Sequence, residues 1–310
     1  MQYPTLFQLP VSPPDRNGWP WTDRNPQIPD TKYIRLIGPR VSIVTPSYNH
    51  AQFLEETIRS VLLQGYPNLE YLVIDGGSTD GTIDVIKKYE KWITYWVSEP
   101  DNGQSDAINK GWRLASGQIL AWINSDDMYS PGAIMAAVET LSQHPETGMV
   151  YGDIQYIDKM SRPIDVRRSS SRSNYHGLVM YGPRLIPQPT TFINRTIIDR
   201  VGFLDSELNA NMDYDFFIRI SKIAKIIHIP KPIAKVRVYK ETKSLRGREA
   251  NWDERIEVVR RYNKLWFLSP LYFRYLRYRL WMILPESAQL LFRSIRRSPR
   301  DSVLIDPDNE

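Results

Sequence analysis

With 310 residues, 42% of them hydrophobic and 24% charged, the chain can bury a large core and is too apolar for global disorder. It has no cysteine, which excludes disulfides, thiolate metal sites and cysteine nucleophiles. The net charge of +5 is segregated: residues 246–300 carry 13 Lys/Arg against 5 Asp/Glu, residues 301–310 carry 4 acids and no base, and residues 1–245 are near neutral, which argues against a nucleic-acid partner.

Residues 1–39 are rich in Pro, Trp and Asp and read as an irregular arm on a domain surface. They hold no apolar run of the kind a secretory leader needs, so the expectation is a cytoplasmic protein. From residue 40, β-formers alternate with helical patterns. Strands are predicted at Val41–Thr45, Leu69–Asp75, Ile93–Ser98 and Ile119–Ile123, and helices at Gln52–Gln64, Thr82–Lys91 and Ser105–Ala115. Strand–helix alternation with short links predicts an α/β fold, a mostly parallel Rossmann-like central sheet with helices on both faces. A helix from Pro131 to about Gln143 and a strand over Met149–Ile157 follow. Ser169–Asn174 is polar and reads as a mobile loop. Helices are predicted at Thr196–Val201 and Asp213–Lys222, and strands near Ile226 and over Ile233–Tyr239.

From Asn251 the pattern is helical, with Trp252, Ile256, Val259 and Trp266 recurring among Arg255, Arg260 and Arg261. Ser269-Pro270 restarts a helix that Pro285 ends, and Leu290–Arg297 is a third amphipathic piece. The most apolar stretch, Leu268–Leu284, is interrupted by Arg274, Arg277 and Arg279 and does not read as a membrane span. The chain thus divides into an arm (1–39), a ligand-binding domain (40–245), a basic aromatic helical extension (246–300) and an acidic tail (301–310).

In a doubly wound sheet, ligands bind beyond the carboxyl ends of the strands. Four loops there are rich in Asp, Asn, Ser and Gly: Thr45–Asn49, Asp75–Gly81, Glu99–Asp106 and Asn124–Asp127. Two adjacent carboxylates, Asp126 and Asp127, placed in solvent after a buried strand are costly unless a cation sits there. With diphosphate oxygens and water they would make an all-oxygen shell for Mg²⁺ or Mn²⁺, whereas capping of the next helix is the plain alternative. Asp75 ends an apolar strand and can accept the N–H of a base such as uracil, or else close a turn. Asp213 and Asp215 open a helix; one can face the cleft as a base while the other braces the fold. Arg237, with Lys240 and Lys243, is expected either to close over phosphates or to form a solvated basic loop. The four histidines are scattered, and no Walker-type, Gly-x-Gly-x-x-Gly or Gly-x-Ser-x-Gly motif occurs.

Val41-Ser-Ile-Val-Thr-Pro-Ser-Tyr-Asn49, Ile74-Asp-Gly-Gly-Ser-Thr-Asp-Gly81, Asn124-Ser-Asp-Asp127 and Met212-Asp-Tyr-Asp215 resemble the motifs of family 2 glycosyltransferases, in the family's order and spacing. The Gly103–Gly111 stretch, Gly-Gln-Ser-Asp-Ala-Ile-Asn-Lys-Gly, is similar to bacterial members of surface-polysaccharide synthesis. The resemblance covers roughly residues 40–245. It implies a GT-A fold and inverting transfer from a nucleotide diphosphate sugar, a UDP-sugar being favoured, to a hydroxyl of a glycan or lipid-linked acceptor. By position it implies that Thr45 and Tyr48 line the nucleotide pocket and that Asp75 holds the base. It adds Gln104, Asp106, Asn109 and Arg237 to the donor-binding set. Asn124 and Asp126 fall on the Asp-x-Asp metal motif, with Asp127 beside them, and Asp213 on the acceptor base. Three departures stand out: Asn124 for the usual first aspartate, Met212 for the acid before the base, and Tyr239 where relatives often have histidine. The Gln-x-x-Arg-Trp signature of processive synthases is absent, which favours one sugar per encounter.

Basic residues interleaved with Trp, Tyr and Leu in the C-terminal helices suit an anionic membrane surface. The corresponding expectation is a peripheral protein at the inner face of the cell membrane, acting on a polyprenyl-diphosphate-linked glycan. A domain-capping bundle or an oligomer interface is the plainer reading. A non-catalytic nucleotide-sugar or glycan-binding protein is the rival from another class. A sugar nucleotidyltransferase is an enzymatic rival, though no Gly-rich triphosphate loop lies near the N-terminus.

Overall fold

The computed structural model describes residues 4–24, 38–169, 173–239, 242 and 248–284. Lys240, Lys243, part of the Ser169–Asn174 loop, Leu290–Arg297 and the acidic tail fall wholly or partly outside these residues.

The first half alternates β1 (Val41–Ser47), α1 (Ala51–Leu62), β2 (Leu69–Asp75), α2 (Thr82–Tyr89), β3 (Tyr95–Ser98), α3 (Gln104–Leu114) and β4 (Ile119–Trp122). β1 lies parallel to both β2 and β4, and β2 parallel to β3. Side chains alternate between two cores. Val41, Ile43, Tyr71, Val73, Ile119 and Ala121 face α1, α2 and the later helix α4 (Ala133–Gln143). Val44, Leu72, Ile74, Leu120 and Trp122 face α3 and the C-terminal helices. A sheet buried on both faces needs strands that are apolar throughout, which is why β1, β2 and β4 are legible as runs.

The second half is more mixed. It contains β5 (Met128–Tyr129), β6 (Thr147–Ile157), β7 (Pro163–Arg167), α5 (Tyr175–Tyr181), β8 (Phe192–Asn194), α6 (Arg195–Val201), α7 (Met212–Ser221), β9 (Lys225–Arg237), α8 (Arg248–Tyr262) and α9 (Pro270–Ile283). The sheet order is β3-β2-β1-β4-β8-β6-β9-β5, with β7 on β6. β8 is antiparallel to β4 and β6, and β5 to β9, whereas β6 and β9 are parallel. The two strands expected near Ile226 and Ile233 are one continuous strand, β9. Pro230 and Pro232 read as breakers, but they lie where the register against β6 slips around Gly152 and Asp153. Their missing N–H groups fall at an irregularity, so the strand bends instead of ending.

The N-terminal arm is embedded more deeply than a surface arm. Leu9, Trp19 and Trp21 are buried, and the Trp19 indole donates to the Tyr129 carbonyl at 2.8 Å. At the other end, α8 and α9 insert Ile256, Val258, Val259 and Leu271 into the second core. Among the described residues no helix is long and apolar enough to cross a membrane.

Helix α3 sits tightly on β1: a Cβ at Gly111 would lie 2.6 Å from Val44 Cγ1. Gly111→Ala is expected to lower stability by about 1–3 kcal/mol through overpacking. The check is a lower denaturation midpoint in urea at unchanged slope.

Candidate active site

The loops at the carboxyl ends of β1 and β2 are stitched together. Asn49 takes a positive φ of 51°, its side-chain oxygen accepts the Thr79 N–H at 2.8 Å, and its own N–H donates to Ser78 Oγ at 2.7 Å. Asp75 is fully buried and holds the turn that follows it. One oxygen accepts the N–H groups of Gly77 and Ser78 and the Ser98 hydroxyl; the other accepts the Ser78 hydroxyl. Gly77 has φ +83° and packs against the Pro100 backbone, so the turn requires glycine there. Tyr48 is 61% exposed on this rim. Thr45 does not join it. The odd positions of β1 face the first core, and the Thr45 hydroxyl is fully buried against that of Tyr71, 3.0 Å away. The expectation that its side chain lines a nucleotide pocket is corrected accordingly.

The loop after β4 is the polar centre. Gln104, the first residue of α3, donates from Nε2 to Asn124 Oδ1 at 2.7 Å. Asp126 is half-buried, and one of its oxygens accepts the Tyr239 hydroxyl at 3.0 Å. Asp127 is not in solvent as the sequence suggested. It turns inward, is 4% exposed, and accepts the Arg237 backbone N–H at 3.1 Å. Burial, then the Asp126 charge beside it, hold its carboxyl well above the usual carboxylate range. The Thr57 hydroxyl clamps the same loop from α1 through the Ser125 and Asp127 carbonyls, 3.0 and 2.7 Å away.

Arg237 does not face a phosphate site. Its side chain is inaccessible and each of its nitrogens is engaged: Nε on the Asp126 carbonyl, Nη1 on the Asp158 and Lys159 carbonyls and Ser161 Oγ, Nη2 on Glu56. The Phe53 ring stacks 4.7 Å from the guanidinium. Alternation along β9 turns this residue inward, so the phosphate-clamp expectation is wrong for it. Glu56 in turn accepts the Trp21 indole N–H at 2.9 Å, joining the arm to the same knot. Asn109 is corrected too: it is 4% exposed and clasps Leu204 through both N–H and C=O, at 3.0 and 2.9 Å. Asp106 is half-buried and accepts the Asn102 N–H at 3.2 Å.

The clasp carries the site on to α7. Leu204 and Leu208 belong to the segment leading into this helix, and Ser105 Oγ reaches the Leu208 carbonyl at 3.5 Å. Asp213 lies in the first turn of α7, half-buried, with Tyr214 N–H at 2.7 Å. Burial pushes its carboxyl up to about 6, against the opposing pull of Arg255. Asp215 is the brace: it is buried, pairs with Arg219 at 2.8 Å and accepts the Tyr262 hydroxyl at 2.6 Å. Helix α8 builds the surroundings. Glu254 accepts the N–H groups of Asn209, Ala210 and Asn211, and Arg255 Nε donates to Asn211 Oδ1 at 3.1 Å. Sequence reading missed Glu56, Glu254 and this role of Arg255, because nothing local marks a charged residue as a partner of a loop 45 or 180 positions away.

Among the described residues no three His, Cys, Asp or Glu side chains gather around a common point. Asp126 and Asn124 nevertheless present hard oxygen donors on one loop. That set suits a divalent ion that takes one or two carboxylates and completes its shell with phosphate oxygens and water.

Residues 42–202 match the family described as Glycosyl transferase family 2. An uncharacterized glycosyltransferase of Mycobacterium tuberculosis is 30% identical over 197 residues, covering 62% of this chain and 72% of that protein. A Bacillus subtilis glycosyltransferase, TuaG, assigned by its name to teichuronic acid biosynthesis, is 36% identical over 108 residues, 34% of this chain and 43% of its own. Among solved structures, the mannosyltransferase PcManGT from Pyrobaculum calidifontis, in complex with GDP-Man and Mn²⁺, superposes with a TM-score of 0.59 at 21% identity, over 89% of this chain and 80% of that one. S. aureus TarS 1-349 in complex with UDP-GlcNAc gives 0.57 at 16% identity, over 71% and 65%. A strand-four loop of acids and amides, set on a parallel half-sheet beside a carboxylate at a helix start, defines a GT-A glycosyltransferase. The chain belongs to glycosyl transferase family 2.

Arg237→Met would leave the buried Glu56 without its close partner and with only Arg16, 3.8 Å away, and is expected to cost about 3 kcal/mol. The adjoining Glu56→Gln/Arg237→Met double variant should recover part of that loss in a thermal unfolding comparison.

Proposed function

We propose that this protein transfers one sugar, with inversion, from a nucleotide diphosphate sugar to a hydroxyl of a glycan or polyprenyl-diphosphate-linked acceptor in surface-polysaccharide synthesis. The observation that carries the reading is the hydrogen-bonded bridge of α3. It links the Asn124–Asp127 loop, through Gln104 and Ser105, to the segment that presents Asp213. A UDP-sugar is the favoured donor, in keeping with the UDP-GlcNAc complex of TarS; the GDP-Man complex of PcManGT makes the guanine nucleotide the alternative to test. The name of TuaG supports the polysaccharide setting.

In this mechanism Asp213 takes the proton from the acceptor hydroxyl. The acceptor oxygen bonds to the anomeric carbon while the bond from that carbon to the diphosphate oxygen breaks, and the electron pair leaves with the diphosphate. One displacement without a covalent intermediate inverts the configuration. Asp126, with Asn124 beside it, would hold Mg²⁺ or Mn²⁺, which when bound offsets the charge of the departing diphosphate. A base N–H reaching Asp75 would take over the lone pair that the Ser98 hydroxyl now uses. With a carboxyl near 6, Asp213 is ionised at neutral pH and still basic enough to accept a proton.

Helix α9 supplies the argument for membrane association. Phe273, Leu276, Leu280 and Ile283 form an exposed stripe at helical spacing, with Arg277 and Arg279 exposed beside it. Such a face suits the cytoplasmic surface of an anionic bilayer. Leu280→Ser/Ile283→Ser should abolish flotation with phosphatidylglycerol vesicles; unchanged flotation would remove the membrane from this reading. Deleting α8 as well would not test it, because α8 is part of the second core.

Because one open carboxylate is a weak metal site alone, Mn²⁺ and nucleotide should bind together. UDP or GDP is expected to raise the melting temperature only when Mn²⁺ is present, and Asp126→Ala should erase that rise. If no nucleotide stabilises the protein with either ion, the transferase mechanism loses its donor.

The pH profile tests the base. Activity (kcat/KM) should climb through an apparent pKa near 6, and Asp213→Asn should lower kcat by about 10²–10⁴-fold. The folded-state pKa is raised, so the proton on Asp213 favours folding below about pH 4, and that contribution is lost as pH rises through about 6. Asp213→Asn should therefore stabilise the fold at pH 7, by about 1 kcal/mol after allowance for partial exposure.

A further inference from the structure

We propose that Arg184, Arg255 and Arg274 form a subsite beside Asp213 that seats a phosphate-type oxyanion of the acceptor. The inference rests on the reading of Asp213 as the acceptor base.

The fold shows how it treats an arginine that serves structure. Arg59 donates to five acceptors: the Pro10, Pro20 and Trp21 carbonyls and the Tyr89 and Ser12 hydroxyls. Arg237 also donates to five and is paired with Glu56. Both of these are fully buried, whereas Arg255 and Arg274 are half-buried, and among the described residues each donates to one protein acceptor. Arg255 Nε reaches Asn211 Oδ1 at 3.1 Å, and Arg274 Nη1 reaches the Tyr181 carbonyl at 3.2 Å. Among the described residues neither has a carboxylate within 4.0 Å.

Both guanidiniums gather on the Trp252 ring, Arg255 at 4.6 Å and Arg274 at 6.0 Å from its centroid. Arg184, on the turn Pro183–Leu185 after α5, brings a third positive charge against Arg255. Burial and the Arg184 charge push the Arg255 guanidinium down to about 10; burial and Arg277 lower that of Arg274. Glu254, next to Arg255 on α8, is committed to the backbone N–H groups of residues 209–211. Asp213 acts on Arg255 from α7 as an opposing negative charge.

Arg255 and Arg274, gathered on one ring with no carboxylate within 4.0 Å among the described residues, raise the energy of the folded protein, and a ligand that brings two negative oxygens removes that cost. The planar fork of guanidinium matches phosphate with paired N–H donors, which lysine does not. An anion held here would sit next to the base, so that a sugar linked to it presents its hydroxyl to Asp213. A diphosphate linking a sugar to a lipid carrier and the phosphate of a water-soluble sugar phosphate share this chemistry.

The test uses the full chain with EDTA present, so that no metal bridges an anion to Asp126, and titrates inorganic pyrophosphate by calorimetry. Wild type should bind, and Arg274→Gln should weaken binding by about tenfold or more. Arg184→Gln, on an exposed turn, should weaken it in the same direction and serves if Arg274→Gln does not fold. Asp126→Ala should keep pyrophosphate binding while losing the Mn²⁺-dependent response to UDP or GDP, which separates this site from the donor site. Absence of binding by wild type, equal affinity in the arginine variants, or loss of pyrophosphate binding in Asp126→Ala would each overturn the proposal. Geranylgeranyl diphosphate in detergent is the second arm. Competition at least tenfold stronger than pyrophosphate supports the site with a lipid-linked source, and equal competition supports it with a soluble one.

Discussion

The structure depends on one buried ion pair, Arg237 with Glu56. A guanidinium taken out of water is unfavourable unless each N–H finds an acceptor and the charge finds a partner. Here the five acceptors come from three parts of the chain: helix α1, the loop after β4, and the 158–161 turn between β6 and β7 all converge on the last residue of β9. The arm joins through Trp21 on Glu56, and Arg16 lies 3.8 Å from the same carboxylate. As a result the Asp126–Asp127 loop is held from behind, through a main-chain carbonyl on one side and an inward carboxylate on the other. One carboxylate of the pair is spent on structure so that its neighbour can be fixed in place and left open.

A similar division holds at the other end of the site. Asp215 carries the ion pair with Arg219 and the Tyr262 hydroxyl, leaving Asp213 with little more than its own helix start. Helix α8 finishes the arrangement by satisfying the amides before α7 with Glu254. In both aspartate pairs, therefore, the partner two residues on or one residue on bears the packing, and the other member stays half-buried with fewer partners. The family match ends at residue 202, so Asp213 and the helix that packs around it lie beyond the matched segment.

Much of this was legible in the sequence where burial is two-sided. β1, β2 and β4 are apolar at almost every position and were found within two residues; so was β6. The brace role of one aspartate in Asp213-Tyr214-Asp215 was legible from helix geometry. What was not legible is direction. Thr45, Asn109, Asp127 and Arg237 stand at family motif positions, but a motif gives a residue's place along the strand and not which core it faces. β5 is two residues long, and β7 is five residues opening on a proline, so each is too short for its pattern to stand out. β9 was read as two strands because prolines are local signals and the register slip that accommodates them belongs to its partner.

The knot at Arg237 also orders events in time. Glu56 and Arg237 are 181 positions apart, and Trp19 meets Tyr129 across 110. Contacts between such distant segments form late, since the loop-closure entropy must be met before they add stability. A ribosome-bound chain that has emerged as far as residue 202 contains the four strands of the parallel half-sheet and the whole segment matched to the family. It still lacks Arg237, which holds the Asp126–Asp127 loop from behind, and the helix that carries Asp213. The two ends of the candidate site are therefore set in place only once the chain has been made through β9 and α8.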